Sequence, residues 1–198
     1  MSGGSTRGLS RQQALGAALA AGGALAGGML LGGTPDAAES LQSGNREDAL
    51  NRLLRLERIQ VALYSEARDG GVLSGQLAAL ASTLADQEAE HVETLTGLLG
   101  SAAAAPPQLE FGRATRDAVT FGRATRQLED LAARSYNLEI PRLRGRALRE
   151  ALRIASVEAR HAAWIRDLLG ENPAPDAVEP LVSDDDVRAA LDRTGFLR

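Results

Sequence analysis

No cysteine occurs among the 198 residues, which removes disulfides, thiolate metal sites, iron–sulfur ligation and lipid attachment through cysteine together. Lysine is missing as well, so every basic side chain is an arginine. Aromatics make up only 3% of the chain and histidine occurs twice. β-Branched residues are sparse while Ala, Leu, Arg and Glu dominate, a balance that favours an all-α fold on propensity. The net charge of −4 argues against nucleic acid as a partner, because neutralising phosphates needs a basic surface. One local arginine run, Arg142, Arg144, Arg146, Arg149 and Arg153, lacks interleaved aromatics to stack on bases and reads as a solvated helix face. With 44% hydrophobic and 24% charged residues, the chain has the balance of one folded domain with an appendage.

Residues 1–45 differ from the rest. Arg7 and Arg11 precede a weakly apolar run over 14–33, rich in Ala, Leu and Gly, followed by Thr34-Pro35-Asp36 and polar residues. This reads as an export leader or an uncleaved membrane anchor, which would place the protein in the cell envelope or periplasm and confine membrane contact to this segment. The other reading is a cytosolic N-terminal arm. Ser10-Arg11-Gln12-Gln13 resembles a twin-arginine motif, but Gln12 occupies the place of the second arginine and speaks against that route. No other apolar stretch reaches the roughly 20 residues a membrane span needs.

Four helices follow from the apolar period. Leu50, Leu53, Leu54, Glu57, Val61 and Tyr64 recur at three- and four-residue steps and predict a helix over 46–69, ended by Asp69-Gly70-Gly71. A second is expected over 75–99 with Gly100 beyond it, a third over 114–137, and a fourth over 143–169 stopped by Gly170. The first and second are joined by a short link, as are the third and fourth, so each pair should form an antiparallel hairpin. Residues 101–113 are too long for a turn. A 24-residue helix is about 36 Å long and 13 extended residues reach roughly 43 Å, so this crossover can leave the second and third helices parallel. The bundle is thus expected over 46–170, followed by a Pro-rich tail over 171–198 with a short helix near 184–194 capped by Ser183. The echo of Phe111-Gly-Arg-Ala-Thr-Arg116 at Phe121-Gly-Arg-Ala-Thr-Arg126 has no third copy and does not signal a repeat architecture.

Both histidines lie three residues after a glutamate, Glu88-Ala-Glu-His91 and Glu158-Ala-Arg-His161, and both tyrosines lie seven after another, Glu57 to Tyr64 and Glu129 to Tyr136. Spacings of three and seven keep two side chains on one helix face. All six of Glu57, Glu88, His91, Glu129, Glu158 and His161 fall on the apolar stripes, where an unpartnered carboxylate would cost several kcal/mol or neutralise by a pKa shift. Four glutamates converging in one core need positive charge, and two divalent cations would supply it. Hard carboxylates with two imidazoles suit iron or manganese, and zinc could take the same ligands. Tyr64 and Tyr136 are either core residues with satisfied hydroxyls or groups that hydrogen-bond a ligand carboxylate and relay electrons or protons. Gln60 and Asp130 flank ligand positions.

Leu56-Glu57-Arg-Ile-Gln-Val-Ala-Leu-Tyr64, Glu88-Ala-Glu-His91, Leu128-Glu129-Asp130 and Glu158-Ala-Arg-His161-Ala-Ala-Trp164 resemble the ligand helices of the ferritin-like di-iron superfamily, as in bacterioferritin and rubrerythrin. The leader, crossover and Asn-Pro-Ala-Pro tail resemble more narrowly the exported bacterial ferritin-like and desiccation-related proteins. The resemblance implies a ferritin-like four-helix bundle with two iron ions. Glu57 and Glu129 would be terminal ligands, one per metal, as would His91 and His161, with Glu88 and Glu158 bridging. Its implied chemistry is oxidation of Fe(II) by O2 or peroxide; the alternatives are a metal-braced stress protein without turnover and a dimanganese, catalase-like site. Ala89 stands where bacterioferritin carries its haem methionine, so haem is not expected. The tail does not resemble a cage-closing fifth helix, so 24-subunit storage is not implied and a homodimer remains open.

Overall fold

The computed structural model describes residues 35–198, with side chains from Gly44 onward. The leader reading of the apolar run over 14–33 lies outside the described residues. Among these, no helix is long and apolar enough to cross a membrane. Ser43–Arg198 form one compact unit.

Four long helices make an all-α bundle: α1 (Pro35–Asp69), α2 (Gly75–Leu99), α3 (Ala118–Glu139) and α4 (Gly145–Leu168). A short α5 (Asp184–Thr194) follows. Helix α1 starts eleven residues before the expected position. Pro35 suits a first turn, since the N–H it lacks would be unpaired there anyway. The apolar period reports only the packed part of a helix, and among the residues whose side chains are described Gly44 and Asn45 are exposed while Ala49 and Leu50 are the first buried.

Helix α3 begins at Ala118 and not near 114, because Asp117 is extended and its side chain accepts from the Thr120 backbone N–H at 2.7 Å. The preceding Gly112–Thr115 is a 3-10 turn entered through Gly112 at φ 55°. The two copies of the echoed hexapeptide therefore take different conformations, one a turn and one inside α3. At its other end α3 continues to Glu139, a 3-10 turn at Ile140–Arg142 carries Pro141, and extended Leu143 and Arg144 delay α4 to Gly145.

Helix directions follow from cross-helix pairs. Tyr64 bonds to Glu129 and Tyr136 to Glu57, so α1 and α3 run antiparallel. Likewise, His91 approaches Glu158 while His161 approaches Glu88, so α2 and α4 are antiparallel. With two hairpins, this leaves α2 and α3 parallel and makes residues 103–111 the long crossover. That crossover is held by the C-terminus: Leu109 and Leu197 form an antiparallel bridge, with Glu110 N donating to Phe196 O at 2.9 Å and Arg198 N to Gln108 O at 3.2 Å. Phe111 and Phe196 meet edge to face, centroids 5.0 Å apart.

Helix α5 is closed by a reciprocal cap between Ser183 and Asp186, as Ser183 ahead of the acidic run suggested, and buries Leu191. Asp184 pairs with Arg142 at 3.0 Å, and Arg142 and Arg52 both reach the buried Glu139, tying α1, α3 and α5 together.

The apolar core has two parts. One contains Leu63, Leu80, Leu84, Phe121 and Ile165, the other Leu50, Leu53, Leu95, Leu143 and Ala151. Along α2 and α4 the two parts lie on opposite sides of the glutamates and histidines, so the polar centre sits between two apolar layers.

Candidate metal centre

Each ligand candidate is aimed inward by its helix. Helices α1 and α3 contribute Glu57 and Glu129; α2 and α4 contribute the two Glu-x-x-His pairs, whose i, i+3 spacing stacks carboxylate and imidazole on one face. All six are buried, His91 being the most exposed at 7%. They form two overlapping groups, Glu57, Glu88, His91 and Glu158, and Glu88, Glu129, Glu158 and His161, with one ligand atom per residue within 4.8 Å of the others in its group. Glu88 and Glu158 belong to both.

Both imidazoles turn Nδ1 inward, and their rings lie 6.2 Å apart and 27° from parallel. His91 Nδ1 is 2.7 Å from Glu88 Oε2, 3.3 Å from Glu57 Oε2 and 3.1 Å from Glu158 Oε1. His161 Nδ1 is 3.0 Å from Glu88 Oε1 and 3.6 Å from Glu129 Oε2. On its outer side His161 Nε2 meets Gln87 Oε1 at 2.6 Å. An amide oxygen only accepts, so Nε2 carries a hydrogen, and in the neutral ring Nδ1 is then the nitrogen with the lone pair.

The tyrosines cross over. Tyr64 donates to Glu129 Oε1 and Tyr136 to Glu57 Oε1, each reaching the carboxylate of the opposite helix. Gln60 Nε2 also donates to Glu129 Oε1, at 3.0 Å. Burial, and then the neighbouring carboxylates, hold both phenols well above their usual pKa, so they remain donors. Of the two flanking residues, Gln60 reaches a ligand position, whereas Asp130 pairs with Arg166 at 2.5 Å.

Packing four carboxylates together strains their ionisation. Burial, followed by repulsion from Glu57, pushes Glu88 and Glu158 well above the ordinary carboxylate range. For Glu57 burial acts upward too, but hydrogen bonds from His91, Glu88 and Tyr136 outweigh it and the net direction is down. His91 is opposed by desolvation, yet the carboxylates of Glu158, Glu57 and Glu88 around its Nδ1 push it up to about 12.

A divalent metal fits this donor set. Glu88 Oε1, Glu129 Oε2, both carboxylate oxygens of Glu158 and Nδ1 of His161 are buried with no hydrogen-bond partner. Native cores seldom leave such atoms unpaired, and here they converge on one place. Oxygen and imidazole donors without thiolates are the set that hard or borderline divalent cations take.

Sequence reasoning missed Gln87, an exposed residue beside Glu88 that no spacing rule singles out, and Arg166, the partner of Asp130. Both tyrosine hydroxyls are spent on ligand-candidate carboxylates.

A four-helix bundle with a long crossover and two Glu-x-x-His pairs facing two further glutamates defines the ferritin-like class of metal-binding folds. Residues 45–171 match the family described as the ferritin-like domain, and the chain belongs to that family. A comparison with curated proteins finds no match.

Proposed function

We propose that this is an exported ferritin-like protein that holds two metal ions, iron in the first place, and oxidises Fe(II) with O2 or peroxide. The observation that carries the reading is the set of five unpartnered buried donor atoms that α2, α3 and α4 bring together in the bundle interior. Glu57 with His91, and Glu129 with His161, would each hold one ion, and Glu88 and Glu158, common to both groups, would bridge. Manganese or zinc could occupy the same donors. Paired iron would supply the redox chemistry, passing electrons from Fe(II) to the oxidant.

The chain's own residues do the rest. Tyr64, Gln60 and Tyr136 fix the orientation of the two terminal carboxylates by donating to one oxygen of each. Gln87 fixes the tautomer of His161. The apolar layers above and below exclude bulk water, which strengthens every charge interaction inside. Export is supported by Arg7 and Arg11 ahead of the apolar run over 14–33.

The test is Fe(II) added to the metal-free full-length chain under oxygen. Ferric absorbance should rise faster than in protein-free buffer and fall to the buffer rate in Glu129→Ala or His161→Ala. Equal rates in all three would end the oxidase reading. A second reading, a metal-braced stress protein, is favoured by the near-complete burial of the centre; metal-dependent stabilisation without turnover would select it.

A further inference from the structure

The two halves of the bundle correspond residue by residue. Glu57 matches Glu129, Tyr64 matches Tyr136, Glu88 matches Glu158 and His91 matches His161. In that correspondence Gln60 falls on Ala132 and Gln87 falls on Val157. The symmetry therefore breaks at two polar residues. Both act on the same half of the centre, although one sits on α1 and the other on α2: Gln60 bonds to Glu129, and Gln87 bonds to His161.

The consequence is visible atom by atom. Glu129 has Oε1 held by two donors, Tyr64 and Gln60, and its Oε2 is buried and unpartnered. His161 has Nε2 held by Gln87, and its Nδ1, although 3.0 Å from Glu88 Oε1, is not aligned for a hydrogen bond. Each residue thus presents one anchored atom and one free one. In the other half the free atoms are spent on each other. Glu57 Oε1 takes Tyr136, and its Oε2 lies 3.3 Å from His91 Nδ1, which also bonds Glu88 at 2.7 Å. Nothing among the described residues holds His91 Nε2. A cation entering there must first break the bonds around His91 Nδ1 and then orient a ring that no partner fixes.

On this basis, and resting on the metal-binding reading above, we propose that the two metal positions are unequal: the Glu129/His161 position fills first and holds its ion more tightly, with Gln60 and Gln87 as its positioning residues, while the Glu57/His91 position is the exchangeable one. Outer partners that orient a ligating histidine are typically worth 10–100-fold in metal affinity. Gln60 adds a second element. Its Nε2 must face the Glu129 carboxylate, which only accepts, so its Oε1 is left as a buried acceptor without a donor. Ala132, at the matching place in the other half, offers no such group.

The presence of only two histidines makes the order directly observable. The full-length chain is labelled with 15N-histidine, its two rings are assigned with His91→Gln, and Zn(II) is titrated in while the ring nitrogens are followed by NMR. Below one equivalent, the His161 nitrogens should move to the values of a ligated imidazole, and those of His91 should follow only between one and two equivalents. Adding a chelator should release His91 first. Gln87→Ala, a change at an exposed position, should weaken the first binding step about tenfold and bring the two responses together. Gln60→Ala, which copies Ala132, should act in the same direction. Rings that move in parallel in the natural sequence, or His91 moving first, would overturn the inequality while leaving metal binding intact. Neither ring moving at several equivalents would overturn metal binding itself, and the inequality with it.

Discussion

Tyr136 and Tyr64 do the same job in the two halves of the bundle but are not equally replaceable. Each hydroxyl donates to Oε1 of a buried carboxylate. Removing Tyr136 leaves Glu57 Oε1 with no donor among the described residues, whereas removing Tyr64 leaves Glu129 Oε1 with Gln60. Stranding a buried acceptor costs about 1–3 kcal/mol, more when it is charged, while losing one of two donors costs about 1 kcal/mol. Tyr136→Phe should therefore destabilise the chelator-treated protein by roughly 2–3 kcal/mol and Tyr64→Phe by about 1 kcal/mol, read from urea unfolding. Equal losses would show that Gln60 does not share the load. At this scale the sequence was informative where a polar residue interrupted an apolar stripe, as at Glu57, Glu88, Glu129 and Glu158. It could not reveal Gln87, which is exposed and one residue off the stripe. Nor could it reveal that Gln60 serves Glu129 across the bundle and not Glu57 one turn away on its own helix. Both depend on which helices become neighbours.

Helices were legible from period and stop signals: α2 and α5 lie where the pattern put them, and the glycines at positions 100 and 195 terminate them with positive φ. One end that differed was set by an interaction that a stripe does not encode, the Asp117 side chain capturing the Thr120 N–H. Chain arithmetic was enough to make 101–113 a crossover, but the partner that holds it came from the other end of the sequence. Phe196 is 7% exposed, packs on Phe111, and its carbonyl accepts from Glu110. Truncating such a side chain typically costs 3–5 kcal/mol. Phe196→Ala should cost about 3 kcal/mol, and exchange of the Glu110 and Arg198 amides should accelerate beyond that of amides in the middle of α2 and α3. Uniform acceleration across the bundle would mean that the C-terminal bridge does not pin the crossover as a separate unit.

For the whole molecule, the four-helix bundle could be argued from sequence because its helices are long and its connections fix their directions; the balance of charge at its centre could not, because it depends on how closely the carboxylates approach. That balance makes a prediction for stability against pH. Without metal, Glu88 and Glu158 hold their protons well above the range of an unfolded carboxylate, near 4.3, and His91 holds its own up to about 12 against about 6.5 for a free imidazole. A group whose folded pKa is raised stabilises the fold fully below its unfolded value and loses that contribution as pH rises toward the folded one. Glu57 is lowered and works in the opposite sense, but its window lies below about pH 4.5. From pH 5 upward Glu88 and Glu158 act, joined by His91 above about pH 6.5, so Tm of chelator-treated protein should fall as pH rises from 5 to 8. Divalent cations need these same groups deprotonated, so metal affinity should climb over that interval. A ligand at 100 times its Kd stabilises by about 2.7 kcal/mol, which for a domain of this size corresponds to roughly 5–10 °C. Calorimetric scans with chelator and with excess Zn(II) should therefore diverge, the gap between them widening from pH 5 to pH 8. Replacing Glu88 and Glu158 together by Gln should flatten the chelator curve and abolish the gap. A metal-free Tm that rises with pH would mean the buried carboxylates are ionised in the fold, and the positive charge they then require would have to come from within the protein.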